Sequence, residues 1–192
     1  MKSESVQANL LAAAEAFALP YYAEAHRAYH NAQHVRAVLH ALDSRQVLTP
    51  TLALAIWGHD LIYDPRQHDN EQRSADVFDG WLAEQGAPAD LRDDIHALIL
   101  ATRHAAPAAT RAEALLIDAD LSILGADAGV FAAYDTAIRR EYKHVPGLLY
   151  RMGRKKILRG FLEREQIFTT PEFAELEGQA RANLLDVLGK LS

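Results

Sequence analysis

The sequence contains no cysteine, which excludes disulfide bonds, thiolate metal ligands and a cysteine nucleophile. Any metal ion must therefore be bound through nitrogen and oxygen atoms. The chain also lacks an uninterrupted apolar run of about 18 residues, and its N-terminal segment does not have the apolar core of a signal peptide. These absences predict a soluble, cytoplasmic protein with no membrane partner.

Other absences narrow the functional classes. There is no glycine-rich phosphate loop, which argues against a P-loop kinase or a dinucleotide oxidoreductase, and no serine nucleophile elbow. Valine, threonine and aromatic residues are sparse beside alanine and leucine, so an all-α fold is expected. The formal net charge of -6 argues against general binding of nucleic acid, which needs Lys and Arg to replace the counterions of the phosphates.

Capping residues and prolines predict where helices begin and end. Asn31 is a candidate N-cap, and Thr49 followed by Pro50 is a stronger start signal for the helix predicted to carry His59 and Asp60. Pro20 should end or restart the first helix, and residues 21–29 are predicted to be helical. Further helices are predicted over residues 112–124 and from the Thr170-Pro171 pair onward.

The adjacent pair His59 and Asp60 follows the apolar run at residues 52–58. Burying two ionisable side chains next to each other is unfavourable unless something pairs with them, and a divalent cation is one such partner. His34 and Asp120, at a distance on either side of this pair in the sequence, can supply further ligands. The potential ligands then occur in the order His, His-Asp, Asp.

This order resembles the HD superfamily of metal-dependent phosphohydrolases, and in particular a subgroup of predicted phosphohydrolases without an assigned substrate. The resemblance extends over most of the chain, through residues 29–35, 57–64, 69–75, 101–104, 118–125 and 138–142. It implies a compact HD-domain helical bundle with additional C-terminal helices. The whole chain, 1–192, would form one domain, with a metal-site core at about 22–125 and a helical extension at about 126–190.

The resemblance implies that His34, His59, Asp60 and Asp120 bind a divalent metal ion. Two imidazoles and two carboxylates suit Mn, Fe, Co, Ni, Mg or Zn, and the sequence does not choose among these metals. Asp118 and Asp120 are two residues apart and cannot share a helical face, so only one of them should be a ligand. The family pattern favours Asp120, and Asp118 is then expected to orient a His ligand, cap a basic side chain or contact the metal through water.

Further roles are carried over from the family to neighbouring residues. Glu71 and Asp64 are the candidates for acid-base catalysis, although a carboxylate at the position of Glu71 is also typical of a helix's first turn. The candidates for substrate binding are His30, Arg103, His104 and Arg139. Basic residues between 139 and 156 form either an ordinary solvated helix face or a positive wall for a phosphorylated small molecule.

Three functions fit these residues. The first is a metal-dependent phosphohydrolase acting on a small phosphorylated molecule, with a nucleotide as the favoured substrate class. The second is a dinuclear HD-type oxygenase, for which His68, His96 and His104 would be the extra ligands. The third is a non-catalytic nucleotide-binding module with a structural metal. Apolar residues of the last helix, among them Leu184 and Leu185, fit core packing or a homodimer contact, and core packing is favoured.

Overall fold

The computed structural model describes residues 2–191, with side chains described from residue 9 to residue 191. Within this range the chain forms nine α-helices and no β-strand, so the predicted all-α fold is confirmed. The helices are α1 (Lys2–Tyr22), α2 (Ala32–Asp43), α3 (Pro50–Gly58), α4 (Asn70–Glu84), α5 (Ala89–Ala101), α6 (Arg111–Leu121), α7 (Ala128–Glu141), α8 (Gly147–Leu162) and α9 (Glu177–Lys190).

Two of the predicted capping residues act as expected. The side-chain oxygen of Asn31 accepts a hydrogen bond from the backbone N–H of Gln33 at 2.9 Å, at the start of α2. The Thr49 hydroxyl accepts one from the backbone N–H of Leu52 at 3.2 Å, and Pro50 is the first residue of α3. These bonds satisfy N–H groups that have no partner inside the helix.

The prediction of a helix over residues 21–29 is wrong. α1 runs through Pro20 and ends at Tyr22, and a succession of turns follows. In this segment the side chains replace the helical hydrogen bonds: the Arg27 guanidinium bonds the Glu24 carboxylate at 2.9 Å and the His30 carbonyl at 3.1 Å. The buried side chain of Arg27 organises a loop here instead of the predicted helix.

The last helix begins later than predicted. A 3-10 helix, Ala174–Leu176, precedes α9, which starts at Glu177 rather than after Thr170-Pro171. The Thr170 hydroxyl donates to the Asp118 carboxylate at 2.7 Å and is therefore used in a tertiary contact and not as a helix cap. The predicted helix over 112–124 is likewise shorter, because α6 ends at Leu121 and a 3-10 helix, Ser122–Gly125, follows.

The backbone contacts divide the chain into two compact units, and the division falls between Ile117 and Asp118, inside α6. In the first unit α3 is central, since it packs against α1, α2, α4 and α5. All of its residues from Leu52 to Gly58 are buried. The prediction of one domain with a core at about 22–125 and an extension at about 126–190 is not tested by this division.

In the second unit, α9 packs against α8 and against both 3-10 helices. The Asn183 side chain donates 2.8 Å hydrogen bonds to the carbonyls of Leu124 and Ala126 and so fixes the chain after the first 3-10 helix. Leu184 is fully buried, as favoured, whereas Leu185 is 60% exposed. Among the described residues, no helix has the length and apolar character needed to cross a membrane.

Candidate metal centre

His59 and Asp60 lie just beyond the C-terminal end of α3, not within it as predicted. The helix ends at Gly58, His59 is its C-cap, and Asp60 is in the following turn. His59 is 1% exposed and the Asp60 side chain 17% exposed. His59 keeps helical backbone angles, with φ of -63° and ψ of -39°, and its Nε2 atom lies 3.1 Å from Oδ2 of Asp60.

Arg27 holds this turn in place, a role that was not predicted from the sequence. Its buried guanidinium donates to the Asp60 carbonyl at 2.6 Å and to the Leu61 carbonyl at 2.8 Å. The same group also bonds Glu24 and the His30 carbonyl, and it lies over the ring of Tyr63 at 5.7 Å from the centroid. The only sequence signal was a single arginine in a segment rich in aromatic residues, which does not reveal burial.

The two histidines are oriented through their Nδ1 atoms. Nδ1 of His59 lies 2.7 Å from the carbonyl oxygen of Ile56, which can only accept, so this nitrogen carries the hydrogen. Nδ1 of His34 lies 3.1 Å from the Tyr29 hydroxyl. In each case Nε2 is the atom directed into the site, and such an arrangement is typical of histidines that bind metals.

Three potential ligand atoms lie close together: Nε2 of His34, Nε2 of His59 and Oδ2 of Asp60. The two Nε2 atoms of His34 and His59 are 3.1 Å apart, and the Asp60 carboxylate oxygen Oδ2 lies 3.1 Å from Nε2 of His59 and 3.5 Å from that of His34. Adjacent ligands at about 2.1 Å from one octahedral ion are separated by about 3 Å. The donor atoms and their separations thus fit a divalent metal ion.

The electrostatics of Asp60 favour its ionised form. Burial by itself raises the pKa of this carboxyl, but the charges of His59 and His30 and the hydrogen bonds from His34 and His59 outweigh burial and hold the pKa well below its ordinary value. Asp60 is thereby available as a negatively charged ligand near neutral pH.

Asp120, in the last turn of α6, is a further potential ligand. His34, His59 and Asp120 could together hold a metal ion. The choice of Asp120 over Asp118 as the metal ligand stays a prediction.

Asp118 has a different set of partners. It is fully buried and accepts hydrogen bonds from the backbone N–H groups of Thr169 and Thr170 and from the Thr170 hydroxyl, at 2.7 to 3.1 Å. Burial raises the pKa of Asp118 above its ordinary value even though these hydrogen bonds lower it. The carboxylate fixes the segment that leads to α9. The roles predicted for Asp118, to orient a His ligand, cap a basic side chain or contact the metal through water, stay predictions.

His30 lies beside the candidate ligands. Its ring is 5.8 Å from that of His34 and stacks on Tyr63 at a centroid distance of 4.2 Å. The charge of His30 is one of the causes that lower the pKa of Asp60. The structure thus places His30 next to His34 and Asp60, and its contact with a substrate stays a prediction.

The two predicted acid-base residues occupy positions with evident local roles. Asp64 is half-buried, and its carboxylate accepts a 3.0 Å hydrogen bond from the backbone N–H of Arg66, which forms a tight turn. The side chain of Asn70 spans the backbone N–H and carbonyl of Asp64. Glu71 is half-buried in the first turn of α4, where the helix dipole favours a carboxylate. Neither position establishes a catalytic role.

The three other residues predicted to bind substrate are Arg103, His104 and Arg139. Arg103 is exposed after the end of α5, and His104 has a left-handed backbone with φ of 52°. Arg139 donates to the carbonyls of Tyr142 and Val145 and lies over the Tyr150 ring at 4.5 Å, so its guanidinium braces the connection between α7 and α8. Substrate binding by these three residues stays a prediction.

No family model, no curated protein and no solved structure matches this chain. The resemblance to the HD superfamily therefore stays a prediction based on the residues themselves. The all-α fold and the group of His34, His59 and Asp120 stand independently of that resemblance.

Proposed function

We propose that this protein is a metal-dependent phosphohydrolase that cleaves a phosphomonoester or phosphoanhydride of a small molecule, with a nucleotide as the substrate class. The observation that carries the proposal is the convergence of two imidazole Nε2 atoms and a carboxylate oxygen at 3.1 to 3.5 Å. The order of these residues in the chain, with Asp120 as a further ligand, supports HD-type chemistry.

A divalent ion held by these residues would lower the pKa of a water molecule and polarise a phosphoryl oxygen. His34, His59, Asp60 and Asp120 would hold the ion. Arg27 and the Ile56 carbonyl set the positions of Asp60 and His59, and the Tyr29 hydroxyl sets that of His34. Glu71 or Asp64 is proposed to accept the proton of the attacking water, and His30, Arg103, His104 and Arg139 are proposed to bind the substrate.

The experiment is a hydrolysis assay on a panel of nucleotides and phosphorylated metabolites, with Mn, Fe, Co, Ni, Mg and Zn supplied in turn. The chain offers a matched control, because a second His-Asp pair, His68 and Asp69, is exposed in a loop. We expect His59→Ala to lower kcat/KM more than about 100-fold, since second-sphere changes alone reach about 10- to 100-fold. We expect His68→Ala to leave it unchanged.

Two results would overturn the proposal. One is the absence of turnover in metal-loaded protein across the panel, combined with ligand-induced thermal stabilisation, which would indicate a non-catalytic nucleotide-binding module. The other is two irons per chain and oxygen-dependent turnover, which would indicate the dinuclear oxygenase. Within an active enzyme, comparing Glu71→Gln with Asp64→Asn assigns the acid-base residue.

A further inference from the structure

The segment from residue 139 to residue 159 differs in charge from the rest of the protein. It contains eight of the 20 Lys and Arg residues of a chain whose net charge is -6, and a single acidic residue, Glu141. Glu141 is 4% exposed and adds little negative charge to the surface. A concentrated positive region on an acidic protein attracts negatively charged partners.

Helix α8 lies within this basic segment and also exposes large apolar side chains. Leu148 is 63% exposed, Met152 61%, Leu149 57% and Ile157 53%. The opposite side of α8 is buried through Arg154 and Leu158. Leu148 and Met152 are one turn apart and form a continuous apolar strip in the first half of the helix.

Some basic side chains of residues 139–159 bond other groups of the protein, as Arg139 and Arg154 do. Arg154 pairs with Asp135 at 2.8 Å, and Arg139 bonds backbone carbonyls. Within the part of the chain that the structure describes, Arg151, Lys155 and Lys156 have no acidic partner. These three cations stand next to the apolar strip, so the surface offers apolar contact and positive charge together.

A cleft of about 320 Å³ opens beside this strip, between α8 and the end of α9. It is lined by Leu148, Arg151, Met152, Lys155, Lys190 and Leu191. Lys190 is paired with Asp186, so Arg151 and Lys155 provide the uncompensated charge of the rim. Apolar walls with a cationic rim suit an apolar side chain that is flanked by carboxylates.

We propose that the exposed face of α8 is a docking site for an acidic amphipathic helix of a partner protein. An apolar side chain of that helix enters the cleft against Leu148 and Met152, and its Asp or Glu residues meet Arg151, Lys155 and Lys156. The concave cleft favours a peptide side chain over a bilayer surface, which would meet a convex, protruding apolar face. This site is independent of the proposed hydrolase activity.

The test is selection from a displayed library of random 16-residue peptides on the full-length protein, with counter-selection on the Met152→Glu variant. We expect the enriched peptides to be acidic, with apolar residues spaced three and four apart. The best peptide, labelled with fluorescein, is then measured by anisotropy at 50 and 200 mM salt.

Two sets of variants separate apolar contact from charge. Met152→Glu and the double variant R151E/K155E should each weaken binding at least 10-fold, and higher salt should weaken binding to the wild type. Val130→Glu, at a residue of α7 that is 53% exposed, should change affinity less than twofold. Circular dichroism of each variant checks that the fold is retained, as expected for substitutions at exposed positions.

The proposal is overturned if no peptide is enriched over the counter-selection, if the enriched peptides are basic, or if Met152→Glu binds as tightly as the wild type. It is also overturned if the same variants abolish sedimentation with phosphatidylserine-containing vesicles, which would identify a membrane surface. A concentration-dependent dimer that Met152→Glu dissociates would instead identify a second copy of this chain.

Discussion

At the scale of single residues, the candidate metal centre depends on side chains that orient its ligands. The His59 ring is fixed by the Ile56 carbonyl and the Asp60 backbone by Arg27. Because Arg27 bonds the carbonyls of His30, Asp60 and Leu61, one guanidinium connects three residues at or beside the site. A ligand that is misplaced by a fraction of an ångström binds metal less tightly, so these supporting contacts also contribute to the affinity for metal.

Arg27→Lys is expected to lower both stability and metal affinity. An ammonium group cannot reproduce the forked hydrogen bonds to two carbonyls, and each buried acceptor left unsatisfied costs about 1–3 kcal/mol. We expect the free energy of unfolding, measured in urea, to fall by about 3 kcal/mol, and the affinity for metal, measured by calorimetry, to weaken 10- to 100-fold.

Arg36→Lys is the matched control, because Arg36 is 56% exposed in its ion pair with Glu15. This substitution should change the free energy of unfolding by less than about 1 kcal/mol. Equal effects of the two substitutions would contradict the role given to Arg27.

The low pKa of Asp60 predicts a definite pH dependence in metal-free protein. A carboxyl whose pKa is lower in the folded than in the unfolded state stabilises the fold above its ordinary pKa of about 3.9, and this contribution disappears as the pH falls through the folded-state value. Urea unfolding of the wild type and of Asp60→Asn, in chelator from pH 3 to pH 6, should show a stability difference that is larger at pH 6 than at pH 3. A difference independent of pH would mean that Asp60 is not held in its charged form.

At the scale of helices, α3 positions the site because it is buried on all sides and ends at a close contact. A Cβ atom at Gly58 would lie 2.6 Å from Cδ1 of Phe78 and 2.7 Å from Cδ1 of Ile99, and both of these side chains are fully buried. Only glycine allows α4 and α5 to approach the end of α3 this closely. The residue after Gly58 is His59, so the packing of the helix end and the placement of the ligand are coupled.

Gly58→Ala should therefore destabilise the protein by about 1–3 kcal/mol, which is the usual effect of overpacking a core. Gly80→Ala is the control, since a Cβ atom at Gly80, in α4, meets no atom within 4 Å. There alanine should stabilise the helix by about 0.5–1 kcal/mol, because it is the better helix former. Both changes are measured by urea unfolding. A Gly58→Ala protein as stable as the wild type would show that Phe78 and Ile99 can move aside.

At the scale of the whole molecule, the donor set links metal binding to stability. A ligand that binds only the folded state stabilises it by RT ln(1 + [L]/Kd), which is about 2.7 kcal/mol at 100 times Kd. Imidazoles and carboxylates must be deprotonated to bind, so the stabilisation should weaken as the pH is lowered.

Adding Mn, Co, Ni or Zn to chelator-treated protein should thus raise Tm by about 5–10 °C at saturating metal. His34→Asn and Asp120→Asn should remove this shift. His40→Asn should retain it, because His40 lies exposed on the same helix as His34 but on a different face. Scanning calorimetry gives the comparison directly, and a metal-induced shift that survives His34→Asn would place the ion elsewhere.

The sequence by itself determined the helical character of the chain and the ends of several helices. Alanine- and leucine-rich segments without alternating patterns favour helix, and caps such as Asn31 and Thr49 act through bonds to residues two or three positions away. These interactions are local, so the sequence is enough to predict them. The selection of His34, His59 and Asp120 as possible ligands also came from sequence, through the His59-Asp60 pair after an apolar run and the His, His-Asp, Asp order in the chain.

Only the tertiary structure decided where the ligands stand and what holds them. Arg27 lies more than 30 positions from Asp60, and Asp118 bonds Thr169 and Thr170 about 50 positions away. Such contacts depend on how helices pack, and no periodicity along the chain records them. For the same reason, the sequence predicted His59 and Asp60 to lie within the helix: the turn after Gly58 is bonded at the Asp60 and Leu61 carbonyls by Arg27, which is distant in the sequence.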